Sequence, residues 1–340
     1  MPPDKRRKRL FKTWQLSWQL YGVLLCLGIG LGIGAAGVAT MKWVQPPLAL
    51  AGPDQISPDQ ISQAAASSSA IKAGSSDHAI YTLPQANVLV VGLASDAPIA
   101  VALSDELEPV ETFAARTNPS YVINGGFFDP QNGKTTSYLT VNSQAVGDPA
   151  DNERLVQNPD LQQYLPQILN RSEFRVYHCE SSGASSDSQR YDIAFHDAAL
   201  PAGCEIESAV GAGPQLLPKN TSTIEGFTDY KGKELIRDAI GSVQPNARSA
   251  VGIHANGSVY LFMVAKNADS SGMTLAELAE FARSIGIVKL LNLDGGSSSS
   301  VYIRDDIRGD QTYSGLSDAD GDPIHRSVKS VITAGIAASK

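Results

Sequence analysis

Positive charge is what this chain lacks most plainly. Its 340 residues hold 27 Lys and Arg against 35 Asp and Glu, a formal net charge of −8. A surface of that sign repels phosphate backbones, which excludes nucleic acid as a partner. Cysteine is scarce: Cys26, Cys179 and Cys204 are the whole complement. None has metal-ligand spacing, so no metal centre is predicted, and nothing supports a cysteine nucleophile; His178 is read as a structural neighbour of Cys179. Regular alternation of strands with helices is also missing, which argues against a doubly wound parallel sheet. Hydrophobic residues make up 42% of the chain and charged residues 18%, enough for one sizeable core with appendages.

The N-terminal part is organised by charge. Lys5 to Arg9 and Lys12 are basic, and Trp14 to Met41 then carries no charge at all. Its centre, Tyr21 to Val38, is apolar or glycine almost throughout, long enough to cross a bilayer. Trp14, Trp18, Tyr21 and Trp43 lie towards the two ends, as interfacial aromatic residues do, and the basic flank predicts a cytoplasmic N-terminus. The expectation is a cytoplasmic segment over residues 1–15 and a single membrane anchor over 16–41. The remainder lies outside the cytoplasm, in the periplasm or on the cell surface if the source is bacterial. A cleaved signal peptide ending near Ala49-Leu50-Ala51 is the alternative, but Lys42 separates those residues from the apolar stretch. Gly28 and Gly32 permit close helix packing without deciding an oligomeric state. Residues 42–78, rich in Pro, Ser, Ala, Gln and Gly, read as a flexible linker.

A folded domain is predicted over residues 79–340. Val88 to Val91, Ile99 to Leu103 and Tyr121 to Ile123 read as strands, and Pro109 to Arg116 as a short helix. Val251 to Ile253 and Val259 to Val264 form a predicted hairpin around Ala255-Asn256-Gly257. Thr274 and Glu277 have capping-box spacing for a helix ending near Ile285, and another strand follows. Strands outnumber helices and neighbours are hairpin-linked, so the fold class is α+β with a largely antiparallel or mixed sheet and a few flanking helices.

That last strand runs into Asn292-Leu293-Asp294-Gly295-Gly296-Ser297-Ser298-Ser299-Ser300. Two glycines let the backbone turn tightly and admit a ligand, and a strand end holds the carboxylate against a cleft. Asn124-Gly125-Gly126-Phe127-Phe128-Asp129 has the same build: a strand, then an amide, glycines and an acid. Asn292 to Ser297 resembles the signature of the phosphodiester glycosidase family, and Asn124 to Asp129 resembles its N-terminal element. Four further segments fit in the same order: Gly211 to Leu217, Arg248 to Ile253 with Asn256-Gly257, Gly272 to Ala279, and Arg326 to Val328. Ser327 stands where proline is usual. Ala265-Lys266-Asn267 stands where Asp-Gly is customary, a departure that bears on sugar specificity and makes Lys266 a candidate for a substitute anion contact.

The resemblance implies hydrolysis of a sugar phosphodiester. A phosphate is a good leaving group, so the reaction needs an oxocarbenium stabiliser, a nucleophile and cations more than a strong acid. Asp294 is the first candidate carboxylate. Asp129 is the second, with an Asx turn into Pro130 as its alternative. His254 is a secondary acid–base candidate, with a surface hairpin histidine as the alternative. Asn124 and Asn292 suit sugar hydroxyls, Phe127 or Phe128 can stack on a ring, and Gly125, Gly126, Gly295, Gly296 and Ser297 complete the cleft. Arg248 and Arg326 suit phosphate, unless either pairs with a structural carboxylate. Outside the cytoplasm a Cys179–Cys204 disulfide is predicted, two separate thiols being the alternative. Asp318-Ala319-Asp320-Gly321-Asp322 reads as a solvated acidic loop, with calcium as the alternative although no EF-hand is formed. No cofactor is otherwise expected. A plain glycosidase and a non-catalytic polysaccharide-binding module are the competing functions.

Overall fold

The computed structural model describes residues 59–60, 77–180 and 189–336. The predicted cytoplasmic segment and anchor, nearly all of the linker and the serine-rich stretch 181–188 lie outside the described residues. Among the described residues no helix is long and apolar enough to cross a membrane.

Three antiparallel sheets carry the fold. The first, with six strands, runs in the order β1 (Asp77–Thr82), β2 (Asn87–Gly92), β14 (Val259–Val264), β13 (Arg248–His254), β15 (Ile287–Asn292) and β10 (Gln215–Leu217). The second runs β17 (Gln311–Ser314), β16 (Ser300–Ile303), β4 (Pro119–Asn124), β18 (Val328–Ile336) and β3 (Ile99–Glu108). The third runs β6 (Gln144–Gly147), β5 (Leu139–Val141), β9 (Cys204–Gly211), β7 (Ser172–Cys179) and β8 (Gln189–Phe195). A separate hairpin joins β11 (Thr228–Lys231) to β12 (Glu234–Asp238). Every pairing between these strands is antiparallel, so of the two predicted arrangements the antiparallel one holds.

Side-chain alternation explains why β2 is apolar on both faces. Val88 and Val90 pack with Phe262 and Phe281 under the helix Leu275–Ser284, whereas Leu89 and Val91 enter a central core with Ile123, Phe174 and Val210. Successive strand residues point to opposite faces. A strand covered on both faces must therefore be apolar at nearly every position. In β4, Tyr121 and Ile123 face the central core, and Val122 faces Phe113 on the helix Val110–Thr117. The central core thus draws on all three sheets, with one helix on the outer face of each of the first two.

Local signals are realised as predicted. Thr274 accepts from the Glu277 N–H at 3.2 Å, and the Glu277 carboxylate accepts from the Thr274 N–H at 2.8 Å, completing the capping box. Cys179 and Cys204 pair directly across β7 and β9 and form the disulfide rather than two thiols.

Topology also fixes where chemistry can sit. The chain leaves the first sheet at Asn292 and enters the second at Ser300. Residues 293–299, which hold the signature carboxylate, are therefore the crossover between two sheets.

Candidate active site

The crossover loop is held at both ends by backbone hydrogen bonds. Leu293 is buried in the central core and its N–H donates to Ser249 O at 2.8 Å. The Asp294 N–H donates to Gly125 O at 3.0 Å, and the Gly296 N–H to Ala247 O at 2.9 Å. Gly296 has φ +62°, a left-handed conformation that favours glycine. The paired glycines after β4 have a different cause. A Cβ on Gly125 would lie 2.6 Å from Ser330 Oγ, and one on Gly126 only 2.2 Å from Gly211 O. These positions are glycine because neighbouring backbone passes over them, where the sequence suggested close approach of a ligand. At Gly295 a Cβ would meet Ala247 O at 3.1 Å, a milder version of the same constraint.

Asp294 is the chemical centre of the loop. Burial raises its pKa from the usual 3.8 to about 6, against hydrogen bonds from Ser298 and the Gly295 backbone and against the positive charge of Arg326. The residue nevertheless keeps part of its surface open to solvent. Arg326 lies over the Phe128 ring, 5.3 Å from ring centroid to Cζ, and donates from Nη1 to Ser297 Oγ at 2.8 Å. It makes no ion pair among the described residues, so its charge faces the Asp294 region without being neutralised by a structural carboxylate. Phe128 is buried in the cluster under the helix Val110–Thr117, so it supports Arg326 and offers little ring surface of its own. Phe127 is the more open of the two. The structure therefore brings together Asp294, Ser297, Ser298, Arg326 and Phe128.

Other predicted residues are present but committed to the scaffold. Asn124 is fully buried; its Nδ2 donates to Asp294 O at 2.7 Å, and its Oδ1 accepts from Ser249 Oγ at 2.7 Å and Ser300 N–H at 3.1 Å. It bridges both large sheets and the crossover, leaving no free amide for a sugar. Arg248 is equally occupied. Its guanidinium donates to Met273 O, Ile240 O, Gly241 O and Gln244 O at 2.6–3.0 Å, and burial lowers its pKa to about 10. Neither a phosphate nor a structural carboxylate is its partner; carbonyls are. Asp129 forms the Asx turn, accepting from Gln131 N–H at 2.8 Å, and pairs with Arg154 Nε at 2.7 Å. His254 lies at the far end of the seven-residue β13 from Arg248, and in the β13–β15 register that is also the end away from Asn292. A strand of that length spans about 20 Å, which keeps His254 out of the Asp294 region. Its Nδ1 is 2.8 Å from Asn256 Oδ1 in the hairpin turn. Lys266 is exposed, with Nζ 3.4 Å from Pro245 O. In the acidic loop, Asp318 Oδ1 accepts from the Asp320 and Asp322 N–H groups at 3.0 and 2.9 Å. Among the described residues no cluster of three or more metal-ligating side chains occurs.

Unsatisfied atoms mark the same region. Among the described residues, four buried side-chain oxygens have no hydrogen-bond partner: Asn292 Oδ1, Ser299 Oγ, Ser137 Oγ and Ser242 Oγ. The first two belong to the signature and its strand, and Ser137 Oγ lies 3.1 Å from the position of a Gly126 Cβ. Buried polar atoms are rarely left unpaired, and here two of the four lie on or next to one loop. The Asn292 Nδ2 is satisfied by Gly213 O and Leu293 O, both at 2.9 Å.

Sequence reasoning missed a second group of residues beside Gly213. Glu225 is fully buried and accepts from Ser172 N–H and Oγ, Gln215 N–H and Thr221 Oγ1. Phe227 packs on Phe127 with centroids 5.6 Å apart and carries Arg171 on its face, Cζ at 3.7 Å. Nearby, His196 stacks on Tyr138 at 3.6 Å, with Nδ1 3.1 Å from buried Glu173. None of these belongs to a spaced motif. The one available signal is Phe127 within its predicted element.

The sequence model of the phosphodiester glycosidase family matches residues 117–334, well over half of the chain. The chain belongs to the phosphodiester glycosidase family. As a phosphodiester glycosidase domain it acts on a carbohydrate, and the matched region contains both Asp294 and Arg326. The zebrafish N-acetylglucosamine-1-phosphodiester alpha-N-acetylglucosaminidase catalytic domain, auto-inhibited by its pro-peptide, has a similar fold. It is 16% identical with a TM-score of 0.53, over 76% of this chain and 82% of that one. A hypothetical protein from Synechocystis is 17% identical with a TM-score of 0.40, over 76% of this chain and 61% of that one. No curated protein matches the chain by sequence.

Proposed function

We infer that the protein is a membrane-anchored hydrolase that cleaves the anomeric C–O bond of a sugar phosphodiester outside the cytoplasm, in envelope polysaccharide or glycan metabolism. The observation that carries this reading is Asp294, at a pKa of about 6, within electrostatic reach of Arg326, a cation with no ion pair among the described residues. Arg326 neutralises the departing phosphate, and Ser297 orients the guanidinium. Asp294, ionised above pH 6, activates water or stabilises the oxocarbenium-like state. An ordinary glycoside would instead need a second carboxyl as general acid, and Asp129 is already taken by Arg154 and its own turn. The basic N-terminus and the charge-free stretch after it support the anchor and the extracytoplasmic placement.

The test offers the full chain an α-N-acetylglucosamine phosphodiester and a matched aryl glycoside, with Asp294→Asn alongside. Sugar release from the phosphodiester alone, lost in a folded Asp294→Asn variant, is the expected result. Equal or greater turnover of the aryl glycoside would assign the protein to plain glycosidases. Binding of glycan with turnover of neither substrate would make it a non-catalytic module.

A further inference from the structure

Two arginines, Arg171 and Arg237, are held alike by backbone carbonyls and aromatic rings and make no ion pair among the described residues. Arg171 Nε donates to Glu225 O at 3.1 Å, and Arg237 Nε donates to Gly226 O at 3.0 Å. Consecutive carbonyls of one turn thus fix two guanidinium groups side by side. Each lies on an aromatic face: Arg171 on Phe227 at 3.7 Å, Arg237 on Tyr164 at 4.5 Å. Stacking fixes the plane of a guanidinium while leaving its edge free to donate. No terminal nitrogen of either residue has a hydrogen-bond or ion-pair partner among the described residues.

The nearby carboxylates do not fill that role. Glu225 spends its oxygens on Ser172, Gln215 and Thr221. Asp229 lies opposite Arg237 in the hairpin register, but its Oδ2 accepts from Tyr164 Oη at 2.8 Å and its Oδ1 from Tyr230 N–H at 2.8 Å. Burial lowers the Arg171 pKa to about 9; the charge of Glu225 opposes this, and the smaller effect of Arg237 adds to it. Glu225 thus offsets the repulsion between the two guanidinium groups without an ion pair to either, which leaves their terminal nitrogens to an arriving anion.

Packed rings link the pair to the candidate active site. Phe227, which carries Arg171, packs on Phe127 of the Asn-Gly-Gly-Phe-Phe element, and Gly125 of that element accepts the Asp294 N–H. On its other side Phe227 adjoins Gly213, whose carbonyl is bound by Asn292.

We propose that Arg171 and Arg237 form a second anion subsite, which binds a phosphate or carboxylate on the part of the glycan beyond the scissile bond. The substrate is then a glycan with repeated negative charge, not an isolated sugar phosphodiester. This deepens the sugar-phosphodiester reading and rests on it for the class of glycan. A bidentate, charge-assisted pair on each guanidinium would give the subsite its selectivity.

Calorimetry on the full-length Asp294→Asn protein tests binding without turnover. Three probes are compared: an N-acetylglucosamine methyl phosphodiester, the same compound extended by a sugar bearing a phosphate monoester, and its counterpart bearing a uronate. The expected result is at least tenfold tighter binding of one or both extended probes. That advantage disappears when Arg171→Gln or Arg237→Gln is added and shrinks as salt is raised. Phosphate preference over uronate, or the reverse, names the anion. Arg237→Gln keeps the test sound if Arg171→Gln fails to fold, since Arg237 lies on a peripheral hairpin. Equal affinity for all three probes, or an advantage that survives both substitutions, would overturn the subsite. Failure of the reaction class is seen separately, as absence of phosphodiester turnover by the native chain.

Discussion

At the scale of single residues, Arg326 lies close enough to Asp294 to act on its charge without forming an ion pair, and the Phe128 ring supports the guanidinium. Asn124 and Arg248 were equally good candidates and turn out to hold backbone. An amide or guanidinium that binds carbonyls is spelled like one that binds a ligand, and Ile240, Gly241 and Gln244 form no motif with Arg248. Three outcomes are expected at this scale. Asp294→Asn should abolish turnover yet stabilise the fold above pH 6. The reason is that the folded carboxyl holds its proton up to about pH 6 while the unfolded one loses it near 3.8, so native stability falls as pH rises between those values. The substitution removes that loss; thermal unfolding at pH 7 and at pH 3.5 should show a gain at the former and none at the latter. In the native enzyme the same ionisation predicts a rate that climbs through pH 6. Arg326→Gln should lower kcat/KM for the phosphodiester by about 10²–10³, as removal of one transition-state donor commonly does, with Arg326→Lys recovering part of it. Steady-state kinetics on both variants decides this.

Elements were the most legible level. Val88 to Val91, Tyr121 to Ile123 and the Val251–Val264 hairpin are strands, and the Thr274 capping box is formed as written. Their legibility has a common cause, since apolar runs ended by turn residues or caps depend on neighbours in sequence. Glu225, Arg171 and Phe227 were invisible because their meeting depends on β7, the turn at Gly226 and Gly213, which come together only in three dimensions. The glycines after β4 were visible, but their reason was not. Gly126→Ala should destabilise the protein by about 2 kcal/mol, because the added methyl would press on the Gly211 carbonyl, which is backbone and cannot swing aside. Chemical denaturation measures this, and a cost near zero would mean that the two strands part easily.

For the whole molecule, three antiparallel sheets share one core, and the third is closed at its outer end by the Cys179–Cys204 bridge, whose cysteines are 25 positions apart. Replacing both cysteines with serine should cost about 2–4 kcal/mol, since the loop between them regains its freedom in the unfolded chain. Thermal unfolding of the double variant checks this, and turnover should persist in the folded protein because the bridge lies away from the crossover loop. Charge balance and the basic, charge-free N-terminal pattern were readable at this scale, because they are sums over residues. Docking of one sheet upon another was not, since no single segment records it.

The position of Asp294 between two sheets carries a consequence for how this protein would fail. Its peptide N–H is held by the chain leaving β4 and its carbonyl by Asn124, so the carboxylate has an address only while both sheets are in contact. Turnover is then a gauge of sheet contact. Under gentle heating or mild denaturant, activity should fall before circular dichroism reports loss of strands, because a small shift at the junction displaces the carboxylate while the shared core still holds.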